Sequence, residues 1–292
     1  MKKMGMGKSH SKIILMGEHS VVYGYPALAL PLKSIKVTCR IFPARKALEN
    51  RGDALSKALF VALEHLGQEE APLHFKVQSQ IPSKRGMGSS AAVSIAAIRA
   101  VFDYFQAPLS EELLEELVQE AEQIAHLNPS GIDAKTCMSQ DAIRFIKDQG
   151  FEKVPLNLDA YLVIADSGVF GQTKEAVKKV AQLGSEKEPH LEALGSLCQE
   201  AEVAILAQDL PALGQKMNQA HQHLQALGVS HDLVDGLVDL AKKKGALGAK
   251  MTGGGLGGCM LALVTSKDAA KSVAYHLRKK GAVRTWIEKL SV

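Results

Sequence analysis

The stretch Leu73-His74-Phe75-Lys76-Val77-Gln78-Ser79-Gln80-Ile81-Pro82-Ser83-Lys84-Arg85-Gly86-Met87-Gly88-Ser89-Ser90-Ala91 decides the fold class. Its first half alternates. Leu73, Phe75, Val77 and Ile81 fall on one side, and His74, Lys76, Gln78 and Gln80 on the other. A strand that is apolar on one face only belongs to an antiparallel sheet with a wet side; a parallel sheet covered by helices needs near-continuous apolar runs. Pro82 stops the strand, and Gly86 to Gly88 leads into an Ala-rich apolar segment through Tyr104 that reads as a helix. The joint is thus strand, glycine loop, helix. Glycines let backbone approach a ligand, and the free N–H groups of a first helical turn attract anions. Ser89 and Ser90 add hydroxyls for phosphate or metal. A tight turn with a small-residue packing face explains the same residues, and locally both readings stay open. Gly86-x-Gly88-x-x-Ala91 fits a dinucleotide-binding fingerprint loosely, but the alternating strand and the lack of an acid at a second strand end argue against it. A Walker A loop is excluded because no Gly-Lys-Ser/Thr follows, and Gly7-Lys8-Ser9 lacks the upstream glycine.

Working outward, Ser11 to Met16 reads as a strand ending at Gly17, with Val21 to Leu32 and Ile35 to Phe42 as further strands. Asp53 to Leu66 reads as a helix, with Leu55, Leu59, Ala62, Leu63 and Leu66 on one face. Ser110 is a candidate N-cap for a helix running to about His126, with Glu111 and Glu112 in its first turn. Ala142 to Ile146 and Phe151 to Val154 form a hairpin pattern around Gln149-Gly150, and Ala160 to Asp166 is another strand. Four helical segments follow: Thr173 to Leu183, Leu191 to Ala207, Leu210 to Leu227 and Asp232 to Lys243. Cys259 to Thr265 reads as a strand, Lys267 to Lys280 as a helix and Val283 to Ile287 as a last strand. The pattern is that of two α+β domains, residues 1–166 and 167–292, with mostly antiparallel sheets.

Composition narrows the function classes. The 292 residues carry a net charge of only +4, and short basic runs such as Lys242-Lys243-Lys244 read as solvated faces, not a nucleic-acid surface. Low aromatic content speaks against a stacking platform for single strands. Cys39, Cys137, Cys198 and Cys259 are widely spaced, so neither a zinc site nor a disulfide framework is expected. No apolar run reaches the roughly 20 residues of a membrane helix, and Lys2, Lys3 and Lys8 are not followed by a signal-peptide core. A soluble cytoplasmic protein is expected.

Several charged residues stand in apolar company. Lys12 opens a strand, and Glu18-His19 follow its end; a solvated turn is the plain reading of Gly17-Glu18-His19. Asn128-Pro129-Ser130-Gly131-Ile132-Asp133 is a turn in which Asp133 could simply cap the next segment. Glu122 flanks the apolar stripe of Leu114, Val118 and Ala125, as a solvated residue or a metal ligand. Gly253-Gly254-Gly255-Leu256-Gly257-Gly258 matches GxGxxG but precedes a strand, so it reads as a hairpin loop or as backbone packed on a ligand.

Four of these segments together resemble the GHMP kinases. Lys12-Ile13-Ile14-Leu15-Met16-Gly17-Glu18-His19-Ser20-Val21-Val22-Tyr23-Gly24 is similar to their first motif, Pro82 to Ala92 to their phosphate loop, Asn128 to Ala134 to the segment with the catalytic aspartate, and Lys250 to Cys259 to their glycine-rich third motif. Order and spacing fit over nearly the whole chain. The resemblance implies an N-terminal ribosomal-protein-S5-like domain and a C-terminal ferredoxin-like domain, with ATP and substrate between them. It implies Asp133 as catalytic acid/base and Lys12 as its cationic neighbour. ATP phosphates would lie on Lys84, Arg85, Gly86, Met87, Gly88, Ser89, Ser90 and Ala91, and Mg2+ on Ser90 and Glu122. Glu18 and His19 would hold an alcohol, with Thr173 near the reacting groups and Arg144 facing a substrate carboxylate. The branch of the family whose first motif reads Gly-Glu-His-x-Val-Val-Tyr-Gly acts on mevalonate, which is therefore the expected acceptor. Phosphomevalonate, a sugar, or a ligand-binding relative without turnover are the alternatives. Lys84-Arg85 depart from the small residues that relatives carry there. An RNA-binding role by analogy with the ribosomal fold is disfavoured by the mild charge. A homodimer is a further expectation.

Overall fold

In the computed structural model of the protein, residues 4–49, 51–125 and 131–291 are described. They fall into two compact units with interleaved sequence. Unit 1 draws on residues 1–12, 31–83 and 87–140, and unit 2 on 13–30, 84–86 and 141–292. The long strands β1 (Gly5–Met16) and β2 (Ala27–Pro43) each contribute residues to both.

In unit 1 the second half of β2 pairs antiparallel with β3 (Leu73–Ser79) from Val37↔Ser79 to Pro43↔Leu73. The expected alternation is realised: Leu73 is buried, Phe75 and Val77 half-buried, and His74, Lys76 and Gln78 exposed. Among the described residues, four helices belong to this unit: α1 (Ala54–His65), α2 (Ser89–Phe105), α3 (Glu111–Ala125) and α4 (Ile132–Met138). Two of them, α1 and α3, start at a side-chain cap. The Asp53 carboxylate accepts the Ser56 N–H at 2.8 Å, and Ser110 Oγ accepts the Leu113 N–H at 3.1 Å. Burial of Ala58, Leu59, Ala62 and Leu63 then anchors α1.

In unit 2, β4 (Ala142–Ile146) pairs with the first half of β2 through Ala27↔Phe145 to Ala29↔Ile143, and with β5 (Gly150–Val154) in a hairpin. The remaining elements are β6 (Tyr161–Asp166), α5 (Thr173–Gln182), α6 (Glu188–Leu206), α7 (Leu210–Ala226), α8 (Asp232–Lys243), β7 (Gly248–Thr252), β8 (Cys259–Val264), α9 (Lys267–Lys279) and β9 (Arg284–Lys289). The four strands form an antiparallel sheet in the order β7-β8-β6-β9. Strand, helices, two strands, helix, strand in this order is the ferredoxin-like topology.

Two expectations fail locally. Val21 to Leu32 is not one strand: Ser20–Tyr23 is a single 3-10 turn, and the strand that starts at Ala27 runs on without a break to Pro43. Val22 and Tyr23 are exposed, so their β propensity gains no burial there, while Gly17 and Gly24, at φ 94° and 91°, reverse the chain. Pro31 does not interrupt β2 because it lies between the stretches paired with β4 and β3, where its missing N–H costs no bond on that edge. The strand β7 and the seven-residue α4 carry no periodic signal. All five residues of β7 are buried, and α4 is too short to show one.

Candidate active site

The phosphate-loop segment ends in unit 1 at the start of α2. Gly88 is the N-cap residue, at φ 68°, with no side-chain cap. The first N–H bonded within the helix is that of Ala92, to Gly88 O at 3.0 Å. This leaves the N–H groups of Ser89, Ser90 and Ala91 as first-turn donors for an anion. Gly88 is required for a second reason. A Cβ there would lie 2.8 Å from Cγ of Lys12, whose side chain runs past it. Lys12 is buried, and its Nζ pairs with Asp133 Oδ1 at 2.7 Å. Asp133 stands in the first turn of α4 with 41% of its side chain exposed, so a solvent-borne molecule can reach it. Ser11 Oγ and the Lys12 N–H both bond to Met87 O, at 2.8 and 3.3 Å, fixing the loop's end to β1. Glu122 on α3 is buried within reach of the same charges. Burial, with Asp133 adding to it and Lys12 opposing, pushes its carboxyl up to about 7. Lys12, Asp133, Glu122 and the N-terminus of α2 are thus one cluster. Of the expected aspartate segment, Asn128, Pro129 and Ser130 lie outside the described residues.

A second cluster lies within unit 2. Glu18 is buried and ion-paired with Lys250, which is wholly buried in β7. Burial drives the Lys250 pKa down, and the Glu18 carboxylate opposes the shift. His19, in the left-handed region at φ 63°, is buried with its ring hydrogen-bonded to the backbone of Gly254. Burial lowers its pKa to about 4, with the Lys250 charge adding to the shift and the Gly254 bond opposing it. Its Nε2 has no hydrogen-bond partner among the described residues. Thr173, the first residue of α5, meets the same glycine: a Cβ on Gly254 would fall 1.9 Å from its Oγ1. Glycine at 254 therefore lets His19 and Thr173 converge. The second glycine run is a hairpin loop between β7 and β8, packed on this protein's own backbone.

Residues 84–86 of the phosphate loop pack with unit 2. Arg85 Nε donates to Asp166 Oδ1 at 2.8 Å and Nη2 to Gly168 O at 3.0 Å, and the guanidinium lies 4.2 Å from the centroid of Phe170. The Gly171 N–H bonds to Lys84 O at 3.3 Å. Arg144, expected to face a substrate carboxylate, is already paired with Glu152 and lies 3.4 Å from Glu202. The partners Lys250, Gly254 and Asp166 were not singled out from sequence. The one available signal was a lysine inside an apolar stretch next to the glycine run. The four cysteines are buried and unbridged.

Comparison with known proteins places the chain in a family. The GHMP kinases N terminal domain matches residues 54–140, and the GHMP kinases C terminal domain residues 201–283. The chain belongs to the GHMP kinase family. Within it, the chain is similar to the mevalonate kinase of Pyrococcus horikoshii, at 32% identity across 97% of this chain and 95% of that protein. Among solved structures it resembles mevalonate kinase from methicillin-resistant Staphylococcus aureus, at 34% identity, TM-score 0.80 and full coverage of both chains. It also resembles L. major mevalonate kinase in complex with R-mevalonate, at 26% identity and TM-score 0.89, covering 100% of this chain and 98% of that one.

Proposed function

We propose that this chain transfers the γ-phosphoryl group of ATP to the primary (5-)hydroxyl of mevalonate, giving 5-phosphomevalonate and ADP, a step toward isoprenoid precursors. The Lys12–Asp133 pair beside the open N-terminus of α2 carries the reading. An alcohol is a weak nucleophile at neutral pH. Asp133 accepts its proton as the bond to phosphorus forms. Lys12 offsets negative charge on the transferring group, and the N–H groups of Ser89 to Ala91 hold the phosphates. Positioning and fixed charge supply most of the acceleration in such a transfer.

Mg2+ fits the donor set. Glu122 is a carboxylate buried near a second one, Asp133, and its anionic form lacks counter-charge enough to keep an ordinary pKa. Glu122 and the Ser90 hydroxyl would hold the ion, which, when bound, supplies Lewis-acid charge to phosphate oxygens. Glu18, His19 and Thr173 serve the alcohol. Arg144 would serve the mevalonate carboxylate by exchanging one of its two glutamates for it. We also divide the chain into domains at residue 166, place it in the cytoplasm and expect a homodimer, which light scattering checks.

The deciding experiment is ADP release by the purified chain with ATP, Mg2+ and, in turn, mevalonate, phosphomevalonate and galactose. Turnover with mevalonate well above the others is expected. Preference for either rival reassigns the acceptor, and ATP binding without any turnover overturns the kinase reading.

A further inference from the structure

We infer that Lys250 is a positioning residue for the acceptor alcohol: through its buried pair with Glu18 it fixes the turn on which His19 stands, so that the imidazole Nε2 faces the alcohol. This rests on the proposed role of His19 in holding that alcohol.

The observation that calls for an explanation is a lysine with no exposure at all in the middle of an apolar strand. Such a position is filled at no electrostatic cost by Met or Leu, and a buried ion pair is a poor source of stability compared with apolar packing. The charge therefore answers some other need. Its Nζ binds the Glu18 carboxylate and Met251 O, the latter at 2.8 Å. Glu18 directly precedes His19, whose φ of 63° is a conformation that non-glycine residues seldom adopt. A conformation of this kind persists only where the surroundings over-determine it, and it is common at functional sites.

Three ties run from residues 250–254 to residues 14–19. Lys250 holds Glu18, Thr252 Oγ1 donates to Ile14 O at 2.7 Å, and the Gly254 backbone holds the His19 ring. The result is an imidazole fixed at its backbone and at one edge, with its other nitrogen buried and without a hydrogen-bond partner among the described residues. A buried nitrogen left so is costly unless something arrives to satisfy it. The titratable groups around the pair come from every side. Glu18 and His19 lie on the turn, and His221 on α7 accepts the Met251 N–H at 3.3 Å. Cys198 on α6 lies within electrostatic reach of both Glu18 and Lys250, with Arg144 and Glu202 beyond it. Removing the Lys250 charge therefore disturbs a network centred on the Gly-Glu-His turn.

A pair that merely stitched β7 to the turn would affect both substrates alike, through stability. A positioning pair splits them. The experiment measures kcat, the KM for mevalonate, the KM for ATP and Tm for the full chain and for Glu18→Gln, Lys250→Met, their double variant and Lys250→Arg. Either single change is expected to raise the mevalonate KM at least about ten-fold, with the ATP KM within about two-fold. The double variant should be no worse than the worse single one, because both break one interaction. Lys250→Arg, which keeps the charge, should recover most of the mevalonate KM. Equal rises in both KM values, effects that multiply in the double variant, or a mevalonate KM untouched by Lys250→Met would each overturn the inference. If Lys250→Met does not accumulate as folded protein, Lys250→Gln, which removes the charge and keeps a polar end of smaller size, takes its place in the same split. A wild-type chain inactive on mevalonate overturns the functional reading and this inference together; an active one with unsplit variants overturns the inference alone.

Discussion

Asp133 and Lys12 divide the work of one ion pair unequally: the lysine is buried and the aspartate is 41% exposed. The exposed partner is the one that can exchange protons with an incoming hydroxyl. Asp133→Asn keeps the shape but cannot accept that proton. Its kcat should fall about 100- to 10,000-fold, the usual worth of a general base, with ATP affinity nearly unchanged and a lower Tm, since the buried Lys12 loses its counter-charge; steady-state kinetics, nucleotide titration and thermal melting check these. Full activity would remove Asp133 from the chemistry. Gly88 offers an independent probe of the lysine. Gly88→Ala places a Cβ 2.8 Å from Lys12 Cγ at φ 68°, so it costs backbone strain and also pushes the lysine aside. The strain is on the order of 1–3 kcal/mol. Gly67, at φ 61° with nothing within 4 Å, is the control, since alanine there brings strain alone. The loss of stability should be larger in Gly88→Ala, which adds the clash to the strain, and a fall in kcat should appear only there. Equal kcat values would mean that the lysine has room to move.

The elements that carried local signals were legible in the sequence, and those held by distant partners were not. The strand β3 showed its wet face by alternation, and α1 and α3 showed their starts by Asp53 and Ser110, because in each the physical cause lies within four residues. The pair Glu18–Lys250 joins residues 232 apart, and no local pattern encodes that. The buried strand β7 lacks alternation for the same reason: neighbours on both faces, not its own sequence, make it a strand. The phosphate loop lies between these cases. Its glycines marked a loop before a helix, while nothing local marked the anchor of its middle residues. Arg85 is held by Asp166, Gly168 O and Phe170, and its pair with Asp166 is largely buried on both sides. Arg85→Ala would leave the Asp166 carboxylate buried without its cation, at a cost of about 3–5 kcal/mol. Lys could not restore the planar fork and the stacking together. We expect a lower denaturation midpoint and a raised ATP KM for Arg85→Ala, and only partial recovery in Arg85→Lys. A wild-type ATP KM in Arg85→Ala would show that residues 84–86 take no part in holding phosphate.

Across the whole molecule, buried titratable groups set how stability depends on pH, and they do not all act in one direction. His19 and His221 are buried neutral. Burial lowers each from the ordinary 6.5 to about 4, against an opposing pull from Asp235 in the case of His221. Between pH 6.5 and about 4 the unfolded chain binds these protons and the fold does not, so stability falls as pH falls through that window and is complete above it. Glu122 acts the other way. Its carboxyl is raised from 4.5 to about 7, so between those values the fold holds a proton that the unfolded chain has released, and this contribution grows toward acid. Two imidazoles against one carboxyl leave a net slope of about one group, roughly 1.4 kcal/mol per pH unit in the middle of the window. His10, also lowered by burial, adds to the same side. In buffer free of divalent cations, the urea midpoint should therefore hold steady above pH 7 and drop between pH 6.5 and 5. His221→Asn should flatten the drop, since it removes one of the two imidazoles that must stay neutral. A midpoint independent of pH from 7 to 5 would mean that these histidines take up protons in the folded state as readily as in the unfolded one.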